Sequence, residues 1–271
     1  MKIATVITAF NPTIRLAKSV ENLKLRIDFI VIVNNGIRDN EVLSFIRRKY
    51  EEEFVEIIDL HDNTGVAHAL NVGVERVRRE KSFDYILTLD QDTVVTVEDI
   101  RGIVATASKY FTNFGILALT ESSTSEDRLF SQVRSAITSG NIVRMDVFSY
   151  ISYREDFFID SIDADFNYKV IRAGYVIIRY NKMGMSHELG KTKNKVRFQP
   201  SFRLYYITRN STVLLIERKT TFMQYTYHIL SWFFRLILVG DGFNGITAIL
   251  QGLLDGLTQK LGKNIKYIPT E

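Results

Sequence analysis

The chain has 271 residues, of which 46% are hydrophobic and 12% aromatic, enough apolar material for the core of one large domain or two small ones. Charged residues make up 24% and prolines number three, which excludes a disordered, collagen-like or low-complexity chain. The absence of cysteine excludes disulfides, thiolate metal sites and cysteine nucleophiles. A net charge of +4 is too small to indicate nucleic acid as a partner, and residues 1–12 lack the apolar core of a signal peptide, so we expect a cytoplasmic protein.

The first 90 residues alternate between short apolar runs rich in β-branched residues and stretches with helical periodicity. The predicted strands are residues 3–9, 29–33, 54–60 and 85–89, and the predicted helices are residues 13–25, 39–53 and 66–77. This alternation predicts an α/β fold with a parallel, doubly wound sheet. Ligands of such sheets bind beyond the carboxyl ends of the strands. The polar residues that follow these ends are Thr8, Asn11, Asn34, Asn35, Asp62, Asn63, Asp90, Gln91 and Asp92.

The second half of the chain is less regular. A polar stretch at residues 121–128 predicts a loop, and residues 138–148 resemble a strand and a turn. Residues 157–173 are acidic at the start and then helical in period, with Gly174 as a plausible C-cap. Residues 191–219 hold eight Lys or Arg and one acid, so the basic charge is concentrated there.

Asp90-Gln91-Asp92 directly follows the fourth predicted strand. Two carboxylates one residue apart can each turn an oxygen towards a hard divalent cation and the phosphates that it carries. The motif therefore predicts a site for a diphosphate and a metal ion. The alternative is a polar turn in which an Asp caps the next helix.

Eight segments of the chain carry a resemblance that covers nearly all of it. In chain order they are VITAFNP, VNNG, NTGVAHALNVGV, LTLDQD, SGNIVR, FFIDSIDADFNYKVIRAGY, SHELG and FRLYYITRN. Their order and spacing resemble family 2 glycosyltransferases with the GT-A fold, most closely the bacterial rhamnosyltransferases that build surface polysaccharides. The resemblance implies a mostly parallel, Rossmann-like sheet flanked by helices. It also implies inverting transfer from a nucleoside-diphosphate sugar, with dTDP-β-L-rhamnose as the first expectation, to a hydroxyl of a lipid-linked glycan.

A set of residues at the strand ends and on one later helix is expected to bind the donor. These are Thr8, Ala9, Asn11, Asn34, Asn35, Gly65, Asn71, Asp90, Gln91, Arg203 and Arg209. The family usually has an Asp-Asn pair after the second strand, where this chain has Asn34-Asn35. Asn can still pair with a pyrimidine edge, because its amide offers both a donor and an acceptor. Turn chemistry at Asn11 and close packing at Gly65 are the alternatives.

By the same resemblance, Asp92 and His187 are the protein ligands of Mn²⁺ or Mg²⁺, with Asp90 nearer the ribose or a metal-bound water. An imidazole and carboxylates suit either cation. A structural role is the alternative for a single His in a loop.

The resemblance also implies that Asp163 is the general base, with Asp165 beside it. Asp160, Asp163 and Asp165 lie within six positions, and like charges so close raise carboxylate pKa values. An acidic helix start favoured by the helix dipole is the alternative.

The motif R-x-Y-Y-x-x-R-N at residues 203–210 places basic side chains close to one helical face. Arg binds a diphosphate in a bidentate manner. A solvated basic face is the alternative, and the neighbouring Lys191, Lys193, Lys195 and Arg197 could equally contact anionic lipid head groups.

The tail carries two apolar stretches, residues 222–240 and 246–261, each with a polar stripe at helical spacing. A spanning helix needs about 20 apolar residues without such a stripe, whereas a helix in the plane of a membrane tolerates it. We expect amphipathic helices that bind the inner face of the plasma membrane or form a homodimer. The predicted division is a GT-A catalytic domain at 1–219, with a nucleotide-binding half at 1–95 and an acceptor half at 96–219, followed by the helical segment at 220–271.

Three other readings remain open. A UDP-hexose could replace the dTDP-sugar as donor. A sugar-nucleotide pyrophosphorylase would be expected to have a glycine-rich basic loop after the first strand, and ITAFNPTIR has no glycine. An inactive glycan-binding module would be expected to lack some of Asp90, Asp92, Asp163 and His187, and all four are present.

Overall fold

The computed structural model describes residues 1–36, 40–50, 54–186, 192–193, 196–197, 199–239 and 242–268. The chain forms two compact units: Met1–Tyr153 with Phe166–Glu188, and Arg154–Asp165 with Leu189–Glu271. The predicted functional division at residues 95 and 219 stays a prediction.

The regular elements follow one another in this order. They are β1 (Ile3–Ala9), α1 (Ile14–Leu23), β2 (Phe29–Asn34), α2 (Glu41–Tyr50), β3 (Val55–Asp59), α3 (Val66–Arg79), β4 (Tyr85–Asp90), β5 (Val94–Val95), α4 (Ile100–Tyr110), β6 (Phe114–Thr120), β7 (Phe130–Val133), β8 (Asn141–Arg144), α5 (Ile162–Arg172), β9 (Val176–Met183), β10 (Met185–Ser186), β11 (Thr192–Lys193), β12 (Val196–Arg197), α6 (Ser201–Ile216), α7 (Phe222–Val239) and α8 (Gly242–Leu257).

The first unit is built on an eight-stranded sheet with the strand order β3-β2-β1-β4-β8-β6-β9-β7. The four strands predicted from the sequence are parallel neighbours. All seven residues of β1 are buried, as expected of a strand covered on both faces. In contrast, β8 runs antiparallel to both β4 and β6, so the whole sheet is mixed.

The register brings the predicted site residues to one edge of this sheet. Ala9 lies opposite Asn34, and Asn34 lies opposite Asp59. On the other side of β1, Thr8 lies opposite Asp90. The carboxyl ends of four strands therefore meet in one row, which is the place where open α/β sheets bind ligands.

The second unit contains the long helices α6, α7 and α8. Two glycines of α8 allow it to approach α6 closely: a Cβ at Gly252 would lie 2.5 Å from Tyr205 O, and one at Gly256 would lie 2.7 Å from Arg209 O. Across this contact, Tyr205 Oη donates to the carboxylate of Asp255 at 2.8 Å. The buried Asp255 carboxylate also accepts from Gln251 Nε2 at 2.9 Å.

The tail helices expose many apolar side chains, although Leu236, Ala248 and Ile249 are buried. On α8 the polar stripe faces inward in part, since Asp255 is buried while Leu250, Leu254 and Leu257 are more than half exposed. On α7, Tyr227 is 78% and Phe234 is 60% exposed. The pattern correctly predicts amphipathic helices, but here packing against α6 buries the polar Asp255. In the part of the chain that the structure describes, no helix has both the length and the apolar character needed to cross a membrane.

Candidate functional site

The D-x-D turn is held by hydroxyl groups that the sequence analysis did not single out. The Thr93 N–H donates to Asp90 O at 3.1 Å and closes the turn. Ser139 Oγ accepts from the Asp90 N–H at 2.9 Å and lies 2.7 Å from Thr93 Oγ1. Ser19 Oγ donates to Thr93 O at 2.8 Å. Ser139 is the first residue of the segment SGNIVR, one of the segments that resemble the glycosyltransferase family, and this resemblance could have drawn attention to it.

Gln91, expected at the donor, is engaged by the backbone of the neighbouring strand end. Its Nε2 donates to Phe10 O at 2.9 Å, and its Oε1 accepts from the Phe10 N–H at 2.7 Å. Both the oxygen and the nitrogen of the amide bind this backbone, and the role of Gln91 at the donor stays a prediction. Gln91 fastens the loop after β1 to the D-x-D turn.

The segment that leads to His187 runs beside the D-x-D turn. In the antiparallel pair of β5 and β10, Ser186 lies opposite Val94, two residues after Asp92. Arg15 reinforces this arrangement, because its guanidinium donates to Asp92 O and to Ser186 Oγ. His187 itself lies outside the described residues.

The donor set at this turn fits a hard cation. Asp90 and Asp92 are half-buried carboxylates on one turn, and carboxylate oxygen is a preferred ligand of Mg²⁺ and Mn²⁺. Within the described residues, no three His, Asp or Glu side chains form a cluster that could hold a metal ion.

The two asparagines after β2 have different surroundings. Asn34 Nδ2 donates to the carboxylate of Asp59 at 2.8 Å, and its Oδ1 accepts from the Gly36 N–H at 3.2 Å. Asn35 Oδ1 accepts from both the N–H and the hydroxyl of Thr64 at 2.9 Å. Asn35 thus holds the turn before α3. Asn34 is oriented by Asp59, which accepts from its Nδ2, so that Asn34 Oδ1 points away from Asp59.

The end of β1 brings further predicted donor residues close to Asn34. Thr8 and Ala9 are buried, and Asn11 adopts a left-handed backbone with φ 49°. A Cβ at Gly36 would lie 3.2 Å from Asn34 Oδ1 and 3.6 Å from Asn11 Oδ1. The side-chain oxygens of Asn11 and Asn34 therefore converge on one glycine.

The turn after β3 contains the remaining predicted donor residues of this unit. Gly65 precedes α3 with φ 94°, a conformation that favours glycine. Asn71 forms two 2.9 Å hydrogen bonds to the Tyr153 backbone, one with the carbonyl and one with the N–H. The Asn71 amide thus holds the backbone at Tyr153, and its role in donor binding stays a prediction.

A cavity of about 200 Å³ opens at the carboxyl end of β6. Because β6 and β4 are both antiparallel to β8, this end lies on the same edge of the sheet as Asp90. Its wall combines charged Glu121 and Arg179 with apolar Val133 and Ile137. A mixed wall of this kind suits a sugar ring, which has polar hydroxyls and an apolar face.

In the second unit, Asp163 lies in the first turn of α5. Its Oδ1 accepts from the Ala164 N–H at 2.9 Å. Burial raises the pKa of Asp163, and the charge of Asp160 adds to this, while Arg203 opposes it. A carboxyl group with a raised pKa is the kind of group that can serve as a general base near neutral pH.

Asp165 has a different environment from Asp163. It is fully buried and accepts from Lys219 Nζ at 2.6 Å. Arg154 lies 3.9 Å from the same carboxylate, and Glu217 accepts from both Arg154 and Lys219. The Asp165 carboxylate is thus held in an ion-pair network with Lys219 and Arg154, and its catalytic role stays a prediction.

The two arginines of α6 also bind protein groups. Arg203 binds Asp160 through both Nε and Nη2. Arg209 is fully buried, and its guanidinium donates to Asn210 Oδ1 and to the backbone carbonyls of Asp156, Phe157 and Gly262. The guanidinium of Arg209 thus holds protein groups, and its role in donor binding stays a prediction.

Comparisons with known proteins agree with the resemblance. The model of "Glycosyl transferase family 2" matches residues 5–172. The dTDP-rhamnosyl transferase RfbF of Shigella flexneri is 25% identical over 240 residues, which covers 79% of this chain and 79% of that protein. The poly-β-1,6-N-acetyl-D-glucosamine synthase of Staphylococcus aureus is 38% identical over 66 residues, 24% of this chain and only 15% of that protein.

Solved structures support the fold. Residues 1–349 of S. aureus TarS in complex with UDP-GlcNAc match with a TM-score of 0.61 at 12% identity, covering 95% of this chain and 81% of that one. The mannosyltransferase PcManGT of Pyrobaculum calidifontis, in complex with GDP-Man and Mn²⁺, matches with a TM-score of 0.59 at 12% identity, covering 95% of this chain and 74% of that one. The fold is that of the GT-A glycosyltransferases.

Proposed function

This chain belongs to glycosyl transferase family 2, and we propose that it transfers L-rhamnose from dTDP-β-L-rhamnose, with inversion, to a hydroxyl of a lipid-linked or surface polysaccharide. The observation that carries the choice of donor is the similarity to RfbF, which extends over 79% of both chains. A UDP-hexose is the second candidate donor, favoured by the local 38% identity to the poly-N-acetylglucosamine synthase.

The proposed metal site uses Asp92 and His187, with Asp90 beside them, for Mn²⁺ or Mg²⁺. The D-x-D turn supports it, because the side chains of Arg15, Ser19 and Ser139 hold that turn, and Gln91 ties it to the backbone of Phe10. When bound, the cation neutralises charge on the departing diphosphate. The pairing of Ser186 with Val94 supports the assignment of the next residue in the chain, His187.

The proposed nucleoside site consists of Thr8, Ala9, Asn11 and Asn34. Its support is the convergence of the Asn11 and Asn34 oxygens on Gly36 at the end of β1 and β2. Asp59 accepts from Asn34 Nδ2 and so fixes the orientation of the Asn34 amide. The Asn34 oxygen is then placed to accept a hydrogen bond from the N3–H of thymine or uracil. The cavity beside Thr120 is proposed for part of the sugar substrates.

Asp163 is the proposed general base. Its carboxylate takes the proton of the acceptor hydroxyl while that oxygen bonds to the anomeric carbon. The bond from the anomeric carbon to the diphosphate oxygen breaks on the opposite face, and the diphosphate leaves with the bonding electrons. This single displacement converts a β-linked donor into an α-linked rhamnoside. The raised pKa of Asp163 supports the role.

A membrane surface is the proposed location, at the cytoplasmic face of the plasma membrane. The outward apolar side chains of α7 and α8 support it, as does a following segment with three exposed lysines, Lys260, Lys263 and Lys266. Such a surface would also bring the enzyme to a lipid-linked acceptor. A homodimer through the same helices is the competing arrangement.

A donor panel tests the proposed reaction. The protein is incubated with dTDP-rhamnose, UDP-glucose, UDP-N-acetylglucosamine and GDP-mannose in the presence of Mn²⁺ or of EDTA, and release of the nucleoside diphosphate is measured. We expect metal-dependent turnover of dTDP-rhamnose above the others. Preference for a UDP-sugar would replace the donor, and release of pyrophosphate in place of a nucleoside diphosphate would replace the reaction class.

A further inference from the structure

The segment that precedes the proposed base has an unusual backbone. Phe158, Asp160 and Ser161 have φ values of 63°, 61° and 58°, although none of them is glycine. L-residues rarely adopt this left-handed conformation, which persists only where the surroundings hold it. The first turn of α5 begins from this segment, because the Asp165 N–H donates to Ser161 O at 3.2 Å. The left-handed residues therefore set the starting point of the helix that carries Asp163.

Asn210 on α6 binds the carbonyls of this segment. Its Nδ2 lies 3.1 Å from Phe157 O, 2.8 Å from Ile159 O and 2.9 Å from Asp160 O. Asn210 is fully buried, so no water replaces these hydrogen bonds. The amide nitrogen of Asn210 thus lies within hydrogen-bond distance of three backbone carbonyls from residues 157–160.

Arg209 fixes the orientation of the Asn210 amide. Arg209 Nε lies 2.9 Å from Asn210 Oδ1, and a guanidinium can only donate. The amide oxygen must therefore face Arg209, and the amide nitrogen must face the three carbonyls. Arg209 Nη2 adds a hydrogen bond of 2.9 Å to Phe157 O.

We propose that Asn210 is a positioning residue for the general base: its amide holds the left-handed segment before α5 and thereby fixes where the Asp163 carboxylate lies. Arg209 acts with it by orienting the amide. The proposal rests on the proposed function, in which Asp163 is the base. Neither residue touches the substrates in this role, so both act through the backbone that they bind.

The test compares Asn210→Asp and Asn210→Ser with Asp163→Asn in the full chain. In Asn210→Asp, an acceptor oxygen replaces the amide N–H donors and faces the three carbonyls. Asn210→Ser removes the amide with a smaller side chain and serves as the test if the Asp variant fails to fold. We expect kcat to fall about ten- to a hundredfold, since a positioned base contributes about 10² to 10⁴ in rate. The KM for the sugar nucleotide should stay within about twofold, because Asn210 makes no contact with the donor in this role.

A double variant separates positioning from a general structural effect. If Asn210 acts through Asp163, Asn210→Ser should slow the Asp163→Asn protein little or not at all. The matched control is Asn264→Ala, which removes an amide that binds Tyr205 Oη at 3.0 Å and should leave kcat unchanged even if Tm falls. Equal slowing of the wild-type and Asp163→Asn backgrounds would overturn the positioning role alone. Near-normal turnover of Asp163→Asn itself would overturn the base assignment on which it rests.

Discussion

At the residue scale, the aspartates around the start of α5 have different charge environments. Asp163 is half-buried; the negative charge of Asp160 raises the pKa of its carboxyl group, and the positive charge of Arg203 lowers it. Asp165, two residues later, is fully buried against Lys219. Two carboxylates on one helical turn thus differ in what they can do: one can gain and lose a proton, while the other neutralises a buried cation.

Replacement of these two aspartates by asparagine should therefore give opposite results. Asp163→Asn should fold normally and lose about 10² to 10⁴ in kcat, because a positioned base is removed. Asp165→Asn should lose about 3 to 5 kcal/mol of stability, because Lys219 and Arg154 would face an uncharged amide in a buried network. Urea unfolding and steady-state kinetics measure the two effects. Normal turnover in Asp163→Asn with inactivity in a folded Asp165→Asn would reverse the assignment.

The pH dependence of the reaction should respond to the charges beside Asp163. A general base works when deprotonated, so kcat/KM should fall as the pH drops through the raised pKa of Asp163. Asp160→Asn removes a negative charge and should lower that pKa, which moves the acidic limb of the profile to lower pH. Arg203→Gln removes a positive charge and should move the limb to higher pH. Shifts in the same direction for both variants would contradict this account.

Metal binding should depend on Asp92. Asp92→Ala removes a carboxylate of the D-x-D turn, whose backbone is held independently by Gln91, Ser139 and Arg15. We expect a folded protein that no longer shows Mn²⁺-dependent binding of dTDP by calorimetry. Asp127→Ala, in an exposed loop, is the matched control. Unchanged Mn²⁺ and dTDP binding in Asp92→Ala would remove Asp92 from the metal site.

At the element scale, local patterns predicted the parallel half of the sheet and the turns that end its strands. Periodicity and turn residues act within a few positions, so strands β1 to β4 and the row of polar ends could be read from the sequence. The insertion of β8 between β4 and β6 could not be predicted from local patterns. It depends on pairing of β8 with residues about 55 positions away in β4 and about 25 positions away in β6.

The α6 and α8 helices illustrate a second limit of sequence patterns. Spacing places Arg203, Arg209 and Asn210 close to one helical face, but it does not show that the Asp160 carboxylate and backbone carbonyls bind these side chains. Likewise, a polar stripe on α8 does not show whether water or α6 lies against Asp255. In both helices the long-range partner decides the role of the side chain.

The contact between α6 and α8 should be sensitive to single methyl groups. Gly256→Ala would place a Cβ 2.7 Å from both Arg209 O and the Thr212 side chain, so we expect a loss of about 1 to 3 kcal/mol despite the better helix propensity of alanine. For Gly245→Ala, the three atoms nearest to the added Cβ all belong to the Leu236 side chain, which can shift, so this variant should cost less. Chemical denaturation of both variants measures the difference. Equal or greater loss in Gly245→Ala would contradict the close backbone approach.

At the scale of the whole molecule, charge and exposed apolar surface are distributed unevenly. Between Phe222 and Leu257 the described part of the chain has only Arg235 and the buried Asp255 as charged residues. The exposed lysines at 260, 263 and 266 follow directly, with no acid among residues 256–270. An apolar face next to a cationic segment fits a bilayer with anionic lipids, where each cation near the surface contributes about 1 kcal/mol.

Membrane binding should therefore depend on both the lipid charge and the outward side chains of α7 and α8. We expect the full chain to float with vesicles of phosphatidylcholine and phosphatidylglycerol, to float less with phosphatidylcholine alone, and to be released by salt. Phe234 and Leu254 are 60% and 57% exposed on these faces. Replacing either with Glu places a charge on the apolar surface and should abolish flotation without loss of Tm. Leu25→Glu is the matched control, because Leu25 is 90% exposed in the first unit. If the two glutamate variants instead dissociated a dimer in sedimentation experiments and the wild type did not float, the apolar faces would join two subunits.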